Sequence, residues 1–394
     1  MRLLIKIYFL LLFMLYQKDF QSIHQFLESE EEVKAAINRI TANTAFLKLS
    51  NYLFPNLPAE KITDNLKNIS SIAGFQKEFM YPMIRAILEK TSNGLTFTGF
   101  ENIKPDEGYL FISNHRDIFL DSAILNILLL EQGLPTTQIS SGSNLMVSPV
   151  LADMVRLNKM VTVFRDEGTS RQWYKQEKLL SEFIRHSITK RKASVWIAQR
   201  NGRTKDGSDK TQPGLLKMLV MGQNHNLIAN FKQLNIVPVS ISYEFEPCDK
   251  LKVQELNCSA NGYKKAKHED LHSILNGITQ QKGHIHLAVC EPINADIDAI
   301  DSSLSQNQQI QSIADLIDNQ IHKNYKLWPT NYIAADLLAD DHQYSDFYSV
   351  PDKVKFEGHL VKQCNTLEGD LAKFWHMFLE MYANPLANIP QPAG

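Results

Sequence analysis

Apolar residues recur along this chain in two rhythms. Over 28–49 and again over 58–89 they fall at helical spacing, as with Phe75, Met80, Met83, Ile84, Ile87 and Leu88, which predicts a helical preamble. From Leu95 the rhythm changes. Leu95 to Phe100 alternates as a half-buried strand does, whereas Tyr109-Leu110-Phe111-Ile112 is a short unbroken apolar run of the kind buried on both faces of a sheet. Helical periodicity follows from Ile118 to Leu130, and the small polar stretch from Ile139 to Asn144 can hold another strand. A helix over 148–157, a strand over 160–164 and a long charged helix over 171–190 come next. Ala193 to Ala198 reads as a strand, Pro213 to Met221 as a helix, and Ile236 to Ile241 and His284 to Val289 as further strands. Strands separated by helix-length segments predict an α/β fold, a central mostly parallel sheet covered by helices. The spans 306–338 and 350–382 return to helical pattern, so helical additions are expected at both ends.

Composition narrows this picture. With 394 residues, 44% of them hydrophobic and 21% charged, the chain can bury a substantial core. Lys and Arg number 41 against 43 Asp and Glu, so a nucleic-acid partner is not expected and any anion site has to be local. The span 156–217 is such a place, with an excess of Lys and Arg. Cys248, Cys258, Cys290 and Cys364 are scattered without a C-x-x-C pair, as reduced cytosolic thiols are. The first residues, MRLLIKIYFLLLFMLYQKDF, carry an apolar run from Ile7 to Tyr16, about half of the ~20 residues a spanning helix needs. No small-residue cleavage site follows. An uncleaved anchor, a helix lying in the membrane interface, or an upstream extension before a start at Met14 all remain open. No later segment reaches spanning length without charge.

Candidate chemistry concentrates where buried strands end. In Phe111 to Asn126, FISNHRDIFLDSAILN, an apolar run stops at Asn114-His115 and two carboxylates, Asp117 and Asp121, follow on the edge of a helix. A His held by a carboxylate can act as general base toward a hydroxyl, and helix-start N–H groups can receive an oxyanion or phosphate. The plainer reading is a helix start capped by Asn114, with Asp117 in its first turn. Val161 to Phe164 runs into Arg165-Asp166, and Val195 to Ala198 runs into a loop where Arg200, Arg203 and Lys205 surround Gly202 and Gly207, which suits a phosphate or a solvated basic turn. His284 and His286 share one strand face, where a satisfied pair outweighs a metal site. Trp328, Phe374, Trp375, Phe378 and Met381 read as packing, or as an apolar surface.

The ordered blocks NHRDIFLD, VTVFRD, QRNGRTKDG and IVPVSI resemble the glycerolipid acyltransferases, the family of lysophosphatidic acid and glycerol-3-phosphate acyltransferases, over roughly Leu95 to Tyr243. The resemblance implies that His115 takes the proton of the acceptor hydroxyl while an aspartate orients it, Asp121 or Asp117. It implies that Arg165, Arg200, Gly202, Arg203 and Lys205 serve the acceptor phosphate, and that Asn114 and Pro238 shape the site or the acyl-donor side. It further implies acyl-CoA or acyl carrier protein as co-substrate, no other cofactor, no metal, and a cytoplasmic protein peripheral to the inner membrane face or anchored by its N-terminal segment. The divisions that follow are an apolar segment over 1–20, a helical preamble over 21–93, an α/β acyltransferase domain over 94–300 and a helical extension over 301–394.

Two departures stand out. The family spacing has four residues between His and Asp; here five precede Asp121 and one precedes Asp117. Either the helix start absorbs one extra residue and Asp121 still reaches, or Asp117 takes the role. The third block lacks its usual Glu, with Arg200 and Asn201 in those places. An acceptor without phosphate, or a scaffold that binds lipid without catalysis, are the alternatives this leaves.

Overall fold

The computed structural model describes residues 26–27, 29–145, 148–164, 169–223, 226–259 and 269–389. Its centre is a seven-stranded sheet: β1 (Gly94–Thr98), β2 (Leu110–Ser113), β3 (Gln138–Gly142), β4 (Met160–Val163), β5 (Val195–Ala198), β6 (Ile236–Tyr243) and β7 (His284–Val289), in the order β1-β7-β6-β2-β5-β3-β4. β2 to β6 run parallel, while β7 lies antiparallel to β6 and carries β1 with it. The expected mostly parallel sheet is therefore present, and five carboxyl ends open on one edge. Central strands of such a sheet are covered on both sides, which is why β2 and β6 are buried at every residue.

One face of the sheet, with Phe111, Trp196 and Val237, packs on the helix Leu120–Glu131 and on the N-terminal helices between Glu30 and Thr91. Val33, Ile37, Ile40, Ile84 and Ile87 belong to that same core, so the preamble completes the sheet's cover. Arg39 reinforces it with paired bonds to Asp153 at 2.7 and 2.8 Å. The other face, with Leu110, Ile112, Val195 and Ile236, is covered by the helices Ser170–Thr189, Pro213–Leu219 and Gln306–Lys323. The C-terminal helices thus divide. Gln306–Lys323 lies on the sheet, whereas Pro329–Ala339, Val350–Cys364 and Leu371–Asn388 build a third core around Phe356, Phe378 and Tyr382, where Phe374 is buried as well and Trp375 and Met377 pack against it. The helices Asp249–Ser259 and Glu269–Thr279, absent from the sequence pattern, lie between β6 and β7.

That third core reaches back to the sheet edge. Asn384 Nδ2 donates to the Asp206 carbonyl at 2.7 Å, and Asn388 Nδ2 donates to the carbonyls of Gly207 and Ser208 at 3.1 and 3.0 Å. Gly207 permits this approach, since its φ is +78° and an added Cβ would sit 2.3 Å from the Met381 carbonyl oxygen. Among the described residues no helix is long and apolar enough to cross a membrane, and the 1–20 segment lies outside them. All four cysteines are unpaired; Cys258 is exposed and the others are buried.

Gly207→Ala should lower stability by about 2 kcal/mol or more, because it adds left-handed strain to a backbone clash. Thermal melting measures the loss, and faster proteolysis within the helix Leu371–Asn388 would locate it.

Candidate active site

The site is built on the turn that leaves β2. His115 Nδ1 lies 2.9 Å from Asp121 Oδ2, with the His side chain 12% and the Asp side chain 1% exposed. Asp121 is in the first turn of the helix Leu120–Glu131, where a carboxylate is favoured by the dipole. The same Oδ2 accepts the N–H groups of Arg116 (2.7 Å) and Asp117 (2.9 Å), while Oδ1 accepts the Tyr243 hydroxyl at 2.8 Å. Two backbone N–H groups and a tyrosine hydroxyl already donate to this carboxyl, so Nδ1 of His115 is placed to be its fourth donor and Nε2 is the nitrogen left unengaged. The Trp196 ring stands edge-on to the imidazole at 5.7 Å, and its Nε1 donates to Ser113 Oγ at 3.0 Å.

Asp117 is turned elsewhere, which corrects its place as an alternative partner of His115. Its Oδ1 accepts the N–H groups of Phe119 (2.8 Å) and Leu120 (2.7 Å), so it caps the helix, and Oδ2 is buried without a hydrogen-bond partner. Burial, and then the charge of Asp121, push its carboxyl above the usual range. The extra residue in the spacing is absorbed in this turn. Regular helix begins only at Leu120, and Asp121 reaches back over the residues before it. A second expectation is corrected with it. The N–H groups of Arg116, Asp117, Phe119 and Leu120 are already engaged by these two carboxylates, so they do not form an anion cradle.

Asn114 does not cap the helix and is fully buried. Its amide pairs with β6, Nδ2 donating to the Ile241 carbonyl at 2.9 Å and Oδ1 accepting the Ile241 N–H at 2.8 Å. Pro238 is also structural. It sits inside β6 in register with Ile112, three residues before His115, and gives up only the last bond of the β6–β7 ladder, where its carbonyl still accepts Cys290 N–H at 3.0 Å.

The loop after β5 is tied to the same turn. Thr204 N–H donates to the His115 carbonyl at 2.8 Å. Asp209 Oδ2 takes Asn114 Nδ2 at 3.1 Å and Arg116 Nε at 3.2 Å, so both neighbours of His115 rest on one carboxylate oxygen. Arg116, 1% exposed, continues to Glu246 Oε2 at 3.0 Å, and Glu246 also receives Lys252 Nζ. Two cations and two anions are buried together here.

The cations of this loop separate into two groups. Arg203 and Lys205 converge on Glu255 of the helix Asp249–Ser259, Arg203 at 3.9 Å with Nη2 also donating to Ser273 Oγ at 3.2 Å, and Lys205 in direct contact. Arg203 Nη1 and Arg200 Nε are buried without a hydrogen-bond partner. Arg200 is half-buried on the stretch that leaves β5, and Gly202, with φ +78°, makes the turn between the two arginines. Arg165, with the rest of 165–168, lies outside the described residues. The two strand histidines have partners of their own: His284 Nδ1 meets Glu244 at 2.7 Å and stacks on Trp328, and His286 meets Thr96 Oγ1 at 2.8 Å.

Residues 94–242 match the family model described as Acyltransferase. The chain carries an acyltransferase domain. The matched span begins with the first residue of β1 and ends one residue short of the end of β6, so it encloses His115, Asp121, Arg203 and Asp209 and leaves Glu246, Lys252 and Glu255 outside. Among solved structures the chain is similar to the 1-acyl-sn-glycerophosphate (LPA) acyltransferase PlsC from Thermotoga maritima, with 12% identity over 72% of this chain and 92% of that one, and a TM-score of 0.37, too distant for any residue's role to be carried over. Comparison with curated proteins finds no match. Tyr243, Asp209, Arg116 and Glu255 were missed by sequence reasoning. Only Tyr243 left a signal, as the polar-tipped end of the fourth apolar run; all four act through contacts between segments far apart in the chain.

The two aspartates should separate cleanly on mutation. Asp121→Asn cannot serve all four donors and should cost about 2 kcal/mol, together with most of the transfer activity. Asp117→Asn keeps the cap and the activity. A carboxyl held above its unfolded pKa contributes stability that is lost as pH rises through the folded value, so the melting temperature of Asp117→Asn relative to the parent should rise as the pH is raised from about 4.

Proposed function

We propose that this acyltransferase moves a fatty acyl group from an acyl-CoA or acyl carrier protein thioester to a hydroxyl of glycerol 3-phosphate or its 1-acyl form. His115 Nε2 takes the hydroxyl proton as the oxygen attacks the thioester carbonyl. Collapse of the tetrahedral intermediate expels the thiolate, which receives the proton from His115. Asp121 stays ionised throughout, holding the imidazole in one tautomer and stabilising the imidazolium that forms. The observation that carries this reading is the buried His115–Asp121 pair, joined through the His115 carbonyl and Thr204 to the loop that bears Arg200, Arg203 and Lys205. A base within one short loop of three cations suits an acceptor that holds a hydroxyl and a phosphate in one small molecule. The bilayer surface is proposed as the source of the acylated acceptor, with the protein at its cytoplasmic face.

His115→Ala should reduce transfer of labelled acyl groups by about 10²–10⁴-fold and leave the melting temperature within a few degrees of the parent. Near-normal turnover in that variant would remove His115 from the chemistry. A panel of acceptors with and without phosphate, assayed against both thioester carriers, defines the substrates.

A further inference from the structure

The cations of the loop bonded to the His115 carbonyl are not idle. Glu255 sets its carboxylate on both Lys205 and Arg203, from a helix outside the acyltransferase match. Its side chain is 12% exposed, and those of Arg203 and Lys205 are 4% and 29% exposed, so the pairing is largely shielded from water and salt. Phosphate and carboxylate present the same chemistry to a guanidinium and an ammonium. Arg203 Nη1, meanwhile, is buried and has no acceptor, so one donor of the same guanidinium remains for an incoming oxygen while Glu255 holds its neighbours.

We infer that Glu255 is an internal competitor for the acceptor's phosphate and determines how strongly this site selects phosphate-bearing acceptors. The inference rests on the proposed acyl transfer only in naming the ligand as an acceptor. A phosphate first meets Lys205, the more exposed of the two cations, and takes the Arg203 guanidinium, Nη1 included, as Glu255 is displaced. The cost of that displacement falls on ligands that need the cations and spares those that do not. It weakens binding of the ground state and of the transition state alike, so it raises KM for a phosphate-bearing acceptor without lowering kcat. Nothing in the exchange touches the acyl donor.

The test compares the parent with Glu255→Gln, which keeps the side chain's shape, and with Arg203→Ala. Calorimetric titration with inorganic phosphate and with glycerol 3-phosphate should show Glu255→Gln binding both roughly tenfold more tightly than the parent, and Arg203→Ala binding them more weakly. In turnover, Glu255→Gln should lower KM for glycerol 3-phosphate by a similar factor, with kcat, the KM of the thioester and the KM of a monoacylglycerol unchanged. Unchanged or weaker phosphate binding by Glu255→Gln would overturn the inference, since Glu255 would then be orienting the cations instead of competing for them. The two readings fail separately. Tighter phosphate binding in a protein that acylates no acceptor sinks the transfer and keeps the competitor; normal transfer with unaltered phosphate affinity does the reverse.

Discussion

The carboxylate of Asp121 is the point on which the site depends. An ionised group so deeply buried is tolerable only when its oxygens are fully hydrogen-bonded, and here they accept an imidazole, two backbone N–H groups and a tyrosine hydroxyl. Each partner is fixed by what it belongs to. The N–H groups shape the turn after β2, Tyr243 closes β6, and Asp121 starts the helix that covers the sheet. Loss of the carboxylate would leave donors stranded on two elements at once, the turn after β2 and the end of β6. His115 is therefore oriented by the fold's own need to satisfy this one anion.

A second constraint binds the turn to the rest of the molecule. Asp209 joins both neighbours of His115 to the loop after β5, and Arg116 passes the connection through Glu246 to Lys252. Buried ion pairs of this kind add little net stability over a well-packed apolar core, but removing one partner strands the others, which makes the arrangement unforgiving. The loop is held from its far side by Asn384 and Asn388. The C-terminal helices, outside the family match, thus set the position of cations inside it. Glu255 does the same from a different helix, also beyond the acyltransferase segment, through its contact with Lys205 and Arg203.

Much of the architecture is legible in the hydrophobic pattern. Apolar runs, unbroken in β5 and interrupted by serines in β6, mark β2, β5 and β6 because parallel central strands are buried on both faces, and the helices between them keep their spacing because one face of each lies on the sheet. The region from Asp249 to Thr279 escapes such reading. The helix Asp249–Ser259 has no strong apolar stripe, since its buried contacts include the charged residues Asp249 and Lys252. Strand order, and with it the antiparallel seating of β7 and β1, is likewise absent from the pattern, because periodicity records burial and not neighbours.

For the site, the chain itself determined which chemical groups were available: a His at a strand end, nearby aspartates, and a glycine-bearing loop with three cations. Tertiary structure decided what each does. It gave His115 to Asp121 and the helix cap to Asp117, since a turn can absorb one residue before regular helix begins. It made Asn114 and Pro238 parts of the sheet, and it set Glu255 on the cations from some fifty residues away. Residue type and local spacing are properties of a segment, whereas the partner of a buried charge is chosen by whichever elements the core brings within hydrogen-bond reach.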